Sequence, residues 1–355
     1  MSKSWKESLL LPGATVKDAK RVLDSDLMRI VFVVNEQGKL LGIVTQSDYR
    51  KGILKHVDNQ ASITAIMNDN PKMVSVTDSQ SEIKELFTKT HLMHLPVVDE
   101  DGMLIDVEYY DEHLMIDSQD NWIIIMAGGQ GSRLRPLTTD TPKPLLKVGV
   151  KPILETIIDN CISYGFRKYY LSVNYKAQMI EDYFGDGSKW GIQIIYLKEE
   201  VQKGTAGSLS LMPEMPSKPF IVMNADLVTD LNFQDLINFH LEHRSVATMC
   251  VKEYDFAVPY GVVMVNDGAI KSIEEKPVHK FFVNAGIYVL DPTVLRLISE
   301  NNFLDMTDLF SRVIGENKNT AAFPIHEHWL DIGCIDDYQH AKGNIVSRVD
   351  EETGN

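Results

Sequence analysis

The sequence predicts an α/β fold, a mixed and mostly parallel sheet covered by helices, preceded by a smaller α+β module. Three observations carry this. Beyond Trp122, short apolar runs alternate with segments of helical periodicity, the pattern of strands joined by crossover helices. Before it, one grammar of helix, strand, Gly turn and strand is written twice. And 355 residues are long for one core, so two domains are expected.

The repeat comes first. Val33-Val34-Asn35-Glu36-Gln37-Gly38-Lys39-Leu40 matches Val97-Val98-Asp99-Glu100-Asp101-Gly102-Met103-Leu104, 64 positions later. In each copy a helix (Thr15–Ser25, then Ser79–Thr90) leads to an apolar strand, a Gly turn and a second strand. Two such units are expected to bury their apolar faces against each other, with repeats at about 1–60 and 61–118. Gly42-Ile43-Val44-Thr45-Gln46-Ser47-Asp48 resembles the G-[IV]-[VI]-T-x-x-D ending of CBS domains, regulatory modules named after cystathionine β-synthase. The resemblance implies that Thr45 and Asp48 hydrogen-bond the ribose of an adenine nucleotide. The second copy, Asp106-Val107-Glu108-Tyr109-Tyr110-Asp111-Glu112, lacks the Gly and the Thr, so one nucleotide site is expected rather than two. A pair that only packs and dimerises is the alternative reading.

A polar stretch, Asp117–Asn121, reads as a linker, and a catalytic domain is expected over 121–345. Strand Trp122–Met126, helix Ile153–Tyr164, strand Tyr169–Val173, helix Ala177–Phe184, strand Ile192–Leu197, strand Phe220–Met223 and helix Phe233–His243 follow in order. Ligands on such sheets bind beyond the carboxyl ends of strands, so strand ends are where site residues are sought.

Composition narrows the function. Net charge is −15 and evenly spread: residues 1–120 carry 13 Lys/Arg against 20 Asp/Glu (−7), the remainder 22 against 30 (−8). Such a surface repels nucleic acid and anionic membranes, and neither is an expected partner. No apolar run approaches a membrane span, and Met1–Leu11 lacks the apolar length of a signal peptide. Cys161, Cys250 and Cys334 form neither a disulfide framework nor a metal spacing, so a reducing cytoplasm is the expected location.

A phosphate ligand would then need positive charge concentrated locally, and Ile125–Pro144, IMAGGQGSRLRPLTTDTPKP, offers it. Gly128, Gly129 and Gly131 can take positive φ and turn backbone N–H groups toward an anion, and Arg133 adds a guanidinium fork. The spacing is neither a Walker A loop nor the dinucleotide fingerprint, and a structural turn is the alternative reading of the glycines alone. The full string Gly-Gly-x-Gly-Ser-Arg-Leu-x-Pro-Leu-Thr-x-x-x-Pro-Lys-Pro resembles the signature of sugar-1-phosphate nucleotidyltransferases, with Ser132 where Thr is commoner. The resemblance extends from Trp122 to about Asn344 through six more landmarks: Gly204-Thr205-Ala206-Gly207, Asn224-Ala225-Asp226, Pro259–Val263, Glu274–Pro277, Asn284–Tyr288 and Trp329–Gly333. Cys334 stands where Thr is more frequent.

That resemblance implies a Rossmann-like domain and a reaction. A sugar 1-phosphate oxygen attacks the α-phosphorus of an NTP and pyrophosphate leaves. Positioning and charge neutralisation supply most of the rate, and an already ionised phosphate needs no general base. Arg133, Lys143 and Lys276 are the expected catalytic cations, on the triphosphate, the reacting phosphates and the sugar phosphate respectively. Gly128, Gly129, Gly131, Ser132, Glu199, Gly204 and Thr205 are assigned to the nucleotide, and Tyr260, Gly261, Glu275 and Asn284 to the sugar phosphate. Asp226 and Asp331 are assigned to Mg²⁺, a hard cation that keeps waters and phosphate oxygens in its other positions. His326-Glu327-His328 resembles a metal pair, but strand alternation before Trp329 accounts for it; His91 and His94 are read as packing residues.

The base is read from Glu199. Uridylyl- and thymidylyl-transferring relatives carry Gln five residues before the second-loop glycine; here that position is Glu199. An ionised carboxylate only accepts, which suits the adjacent N1–H and N2–H donors of guanine and leaves a carbonyl of uracil or thymine facing an oxygen. Glu199-Glu200 also resembles the acidic pair of mannose-1-phosphate guanylyltransferases. The CBS-plus-transferase arrangement is similar to bacterial glucosamine-1-phosphate guanylyltransferases of legionaminic acid assembly, with mannose and heptose 1-phosphates as competing substrates. No hexapeptide repeats are present, so a fused left-handed β-helix acyltransferase is not expected. Two further readings stay open: a uridylyl- or thymidylyltransferase, and a nucleotide-sensing protein without turnover. A homo-oligomer is expected, since CBS pairs associate.

Overall fold

The computed structural model describes residues 5–25, 28–90, 92–109, 119–299 and 302–341. The chain divides into two compact units, Met1–Ile116 and Asp117–Asn355.

In the first unit the written repeat is a spatial one. Helix Val16–Leu23 precedes strands Ile30–Val34 and Leu40–Thr45, and helix Gln80–Thr90 precedes strands His94–Val98 and Leu104–Tyr109. Both hairpins slip register at equivalent places. Val33 pairs with Gly42 and Val34 with Leu40; Val97 pairs with Asp106 and Val98 with Leu104. Each leading helix starts in a reciprocal cap, Thr15 with Asp18 and Ser79 with Glu82. The repeats also bond each other reciprocally, Leu40 N to Gly102 O at 3.0 Å and Leu104 N to Gly38 O at 3.1 Å.

Burial explains the run Ile30-Val31-Phe32-Val33-Val34. Val31 and Val33 face the first repeat's own helices, while Phe32 and Val34 join Leu104 and Val107 of the second repeat. A strand covered on both faces needs apolar residues at every position. Tyr110, Asp111 and Glu112, expected to end the second repeat, lie outside the described residues, as does His91. His94 packs edge-on against Tyr109 at 5.6 Å, consistent with a packing residue.

The second unit is built on a seven-stranded sheet ordered Gln193–Lys198, Phe166–Val173, Gln119–Met126, Phe220–Asn224, Val278–Leu290, Ala247–Ala257, Thr320–Ile325. All neighbours are parallel except where Val278–Leu290 runs against both of its partners. Alternation along each strand separates two cores. Ile123, Ile125, Ile221 and Met223 fill one face; Ile124, Phe220 and Val222 fill the other. The strands and helices read from Trp122 to His243 are all present within a few residues of their expected ends.

Two expectations are corrected. Gln119–Asn121 is strand rather than linker: Gln119 pairs with Phe166, and buried Asn121 donates from Nδ2 to Pro219 O at 2.7 Å. Polar residues can begin a strand where a backbone carbonyl stands opposite. His326–His328 is not strand either; it connects Thr320–Ile325 to the short strand Trp329–Asp331. That short strand pairs back onto Leu227–Thr229, which requires the chain to turn there.

Strands Ala247–Ala257 and Val278–Leu290 remain paired from Ala247↔Leu290 out to Ala257↔Val278, beyond the covered part of the sheet. Their far halves, with the hairpin Val262–Asn266/Ala269–Glu274, form an exposed arm.

Candidate active site

Four neighbouring parallel strands end on one side of the sheet, and each delivers a site residue just past its end. Gln119–Met126 runs into the glycine loop, Phe166–Val173 into Asn174, Gln193–Lys198 into Glu199, and Phe220–Asn224 into Asp226. The strand ends are stitched by Ala127 N to Ser172 O, Glu199 N to Val173 O and Ala225 N to Met126 O at 2.8, 3.0 and 3.2 Å. Above them lies a cavity of about 300 Å³ lined by residues that include Gly128, Gly129, Lys143, Glu199, Gly204, Thr205 and Asp226. Its position at the carboxyl ends is the one open α/β sheets use for ligands.

In the glycine loop, only Gly131 takes positive φ (61°), where positive φ was open to all three glycines. A Cβ there would meet Thr138 Cγ2 at 2.9 Å and Lys143 Cβ at 3.1 Å. Thr138 Oγ1 donates to Gly131 O at 2.8 Å, and Tyr175 and Lys176 donate to the carbonyls of Thr138 and Thr139. The turn is thereby tied down on both sides and carries Lys143 back toward the sheet. Gly128 serves close approach instead: a Cβ would lie 3.3 Å from Glu199 Oε1.

Lys143 Nζ donates to Asp226 Oδ2 at 2.5 Å, with both side chains largely covered. Asp331 is brought to the same place by backbone pairing, Leu227↔Asp331 and Ile332 N to Asp226 O at 3.0 Å. The residue keeps contact with solvent, yet the protein packed around its carboxyl raises its pKa. The Asp226 carboxylate raises it further, against the pull of Lys143 and Arg133. Arg133 is itself exposed, with Nη1 3.5 Å from where a Gly333 side chain would begin. Ser132 is exposed beside it.

Asp226 and Asp331 suit a divalent cation. Asp226 Oδ1 is buried and has no hydrogen-bond partner among the described residues, an orphaned acceptor that an ion would satisfy. Among those residues no three His, Cys, Asp or Glu side chains are grouped to hold a metal. An ion held by these two carboxylates would leave its remaining positions to water and phosphate oxygens.

Glu199 is held by both oxygens. Ser172 Oγ donates to Oε1 at 2.6 Å and Lys203 N to Oε2 at 2.9 Å, while Asn174 Nδ2 takes its backbone carbonyl. Each carboxylate oxygen retains a lone pair, so the group is aimed without being saturated. Sequence reasoning did not single out Ser172 or Asn174. It also missed Gln202, Phe303 and Asp305, which line the cavity. Leu304 O accepts from Ala206 N and Gly207 N, both at 2.9 Å; this pairing is remote in sequence and belongs to no motif.

The residues assigned to the sugar phosphate are not at the cavity wall. Tyr260 (74% exposed), Gly261, Glu275 and Lys276 belong to the arm, with Lys276 at φ 49° in the turn between its strands. Asn284 is on the sheet but committed internally, donating to Tyr288 Oη at 2.8 Å and accepting from Gly286 N at 2.9 Å. In the first unit, Thr45 and Asp48 form a capping box on helix Gln46–Leu54, with Thr45 N and Oγ1 donating to Asp48 Oδ2 at 3.0 and 2.7 Å. A local structural task therefore already occupies both.

Comparison with known proteins places these features. The nucleotidyl transferase family model matches residues 123–348, and the CBS domain model matches 9–55 and 63–107. A relative from Drosophila pseudoobscura pseudoobscura, mannose-1-phosphate guanylyltransferase catalytic subunit beta, is 35% identical over 223 residues, covering 61% of this chain and 60% of its own. The UTP–glucose-1-phosphate uridylyltransferase of Synechocystis sp. is 31% identical over 245 residues, 63% of each chain. This chain thus spans about 60% of the length of the curated relatives it matches. The crystal structure of HddC from Yersinia pseudotuberculosis shares the fold, with TM-score 0.50 and 24% identity over 63% of this chain and 99% of that one. Among the described residues no helix is long and apolar enough to cross a membrane.

Proposed function

The chain belongs to the nucleotidyl transferase family, and on that premise we propose that it is a sugar-1-phosphate guanylyltransferase. A phosphate oxygen of the sugar 1-phosphate bonds to the α-phosphorus of GTP, the bond from that phosphorus to the β-phosphate bridge breaks, and pyrophosphate departs. The observation that carries this reading is the convergence of Lys143, Asp226 and Asp331 at a cavity that Glu199 also lines.

Lys143 meets the reacting phosphate, a reading supported by its ammonium being held on Asp226 beside the cavity. Arg133 neutralises the triphosphate from the solvent side, and Lys276 on the arm takes the sugar phosphate. Gly128, Gly129, Gly131, Ser132, Gly204 and Thr205 surround the nucleotide; Tyr260, Gly261, Glu275 and Asn284 serve the sugar. Asp226 and Asp331 would hold Mg²⁺, which supplies charge neutralisation on phosphate oxygens when bound. Charge stabilisation and alignment account for the rate.

Glu199 selects guanine through N1–H and N2–H, and glucosamine 1-phosphate is the proposed acceptor, feeding nucleotide-sugar supply for cell-surface glycan or legionaminic acid synthesis. Mannose and heptose 1-phosphates are the alternatives. The names of the two relatives support sugar-1-phosphate nucleotidyl transfer and divide between guanylyl and uridylyl. Glu199→Gln tests the base directly. Ser172 can rotate to accept from the new amide while Lys203 N–H keeps an oxygen, so the substitution is tolerated. The kcat/KM for GTP relative to UTP and dTTP is expected to fall at least about tenfold, the loss of one charge-assisted hydrogen bond. An unchanged ranking sinks the assignment.

For the first unit, binding of an adenine nucleotide at Thr45 and Asp48 and a resulting shift in turnover remain a proposal. Titration of the full chain with ATP, ADP and AMP tests it; no binding and no kinetic effect would leave the pair structural.

A further inference from the structure

Three carboxylates line the cavity: Glu199, Asp226 and Asp305. A site for a polyanion tolerates a carboxylate only where a cation or an N–H donor meets it. Lys143 meets Asp226, and on the guanylyl reading the base meets Glu199. Asp305 has no role in that scheme.

Its local structure is unusual. Asp305 occupies the N-cap of helix Met306–Gly315, at φ −88° and ψ 159°, yet its side chain does not cap that helix. Thr205, from the second nucleotide loop, does so instead, accepting from Met306 N with Oγ1 at 2.8 Å. The Asp305 carboxylate is turned to the loop and accepts from Thr205 N with Oδ1 at 3.2 Å. Its Oδ2 has no partner among the described residues. An aspartate at an N-cap ordinarily spends its oxygens on its own helix; here a second residue has taken over that task.

Glu199 is held by the same loop, through Lys203 N at 2.9 Å. Two carboxylates thus accept from alternate backbone N–H groups of one short segment, with Gly204 between them. Gly204 has φ 79°, and a Cβ there would stand 2.9 Å from Asp305 Oδ1 and 2.4 Å from Leu304 O. The close seating of Asp305 therefore depends on a position without a side chain.

We propose that Asp305 is a specificity-determining residue that accepts a hydrogen bond from the 2-amino group of guanine. The inference rests on the guanylyl reading. Guanine presents three N–H bonds on this edge, one on N1 and two on N2. Glu199 accounts for N1–H and one N2–H. The second N2–H needs its own acceptor, and Asp305 Oδ2 supplies it from beside the same loop. A buried donor left unmet costs more than a missing contact, which gives such a pair its selectivity.

Hypoxanthine keeps N1–H and lacks the 2-amino group, so ITP is the probe. The measurement is kcat/KM for GTP and for ITP, at fixed sugar 1-phosphate, in the full chain and in its Asp305→Ala and Asp305→Asn variants. Asn retains an oxygen for Thr205 N–H and guards against a folding defect in the Ala variant. The expected result is a GTP/ITP ratio about tenfold lower in both variants, one charge-assisted hydrogen bond. A merely structural Asp305, bolting loop to helix, would lower both nucleotides together and leave the ratio unmoved; that outcome overturns the proposal while the guanylyl reading stands. A parent chain that prefers UTP or dTTP to both purine nucleotides overturns the guanylyl reading itself.

Discussion

Lys143 Nζ and Asp226 Oδ2 lie 2.5 Å apart although 83 residues separate them, and the strands that precede them are neighbours in the sheet. With only 11% and 22% of the two side chains exposed, the pair sits in a setting where losing one partner matters. Lys143→Met would leave two nearby carboxylates without their cation. Stability is expected to fall by about 2 kcal/mol, the buried-pair cost reduced for partial exposure. Turnover is expected to fall about 10²- to 10³-fold. Adding Asp226→Asn should restore much of the stability and none of the turnover, read by denaturant melts beside steady-state kinetics.

Asp331 yields an opposite sign. Its folded-state pKa is raised, by burial first and by Asp226 second, so the protonated form is the one the fold favours. The stability this contributes is present below the ordinary carboxylate value and is lost as pH rises through the raised one. Asp331→Asn should therefore melt above the parent protein at neutral pH and with it near pH 3. The same substitution should abolish cation-dependent turnover. A variant less stable than the parent at pH 7 would contradict the assignment of repulsion between the two carboxylates.

His240 sets a second pH dependence, far from the cavity. It is 2% exposed, its Nδ1 is 2.8 Å from Thr248 Oγ1, and burial lowers its pKa to about 4 against the pull of Asp291. A depressed folded-state value contributes stability above the ordinary 6.5 that is lost as pH falls toward about 4. Across that window the loss is about 3 kcal/mol. His240→Gln should flatten that part of the curve in melts taken from pH 7 to pH 4.

Gly204 is a position where a single methyl group does harm. Its φ of 79° and the 2.4 Å approach to Leu304 O leave no room for a side chain. Gly204→Ala should cost at least about 2 kcal/mol, from the left-handed backbone and the clash together. Nucleotide affinity should drop with it, since Glu199 and Asp305 are both held by this loop. Calorimetric titration with a non-hydrolysable GTP analogue measures that loss.

The strands and helices were legible because alternation and helical period are written directly in runs such as Ile123-Ile124-Ile125 and Ile153–Ser163. The chemistry of the glycine loop is written in its own residues, whereas Lys143, Asp226 and Glu199 were legible only through the ordered family landmarks they belong to; the sheet brings them to one cavity. Asp305 and Phe303 were not, since their place depends on Leu304 bonding a loop a hundred residues away. Thr45 and Asp48 show the converse. A motif assigned to a ligand is also a capping box, and the two tasks use the same residue types. Gln119–Asn121 reads as a linker by polarity, yet Pro219 O, remote in sequence, gives Asn121 the partner that lets it belong to a strand.

The most direct test incubates the full chain with Mg²⁺, GTP and glucosamine 1-phosphate, and quantifies nucleotide sugar by mass spectrometry beside released pyrophosphate. UTP, dTTP, mannose 1-phosphate and glucose 1-phosphate run in parallel. GDP-glucosamine and pyrophosphate are expected in equal amounts, with GTP preferred over the pyrimidine nucleotides. Binding of GTP with no product from any nucleotide and sugar 1-phosphate pair would contradict it, leaving a nucleotide-binding protein built on a transferase fold.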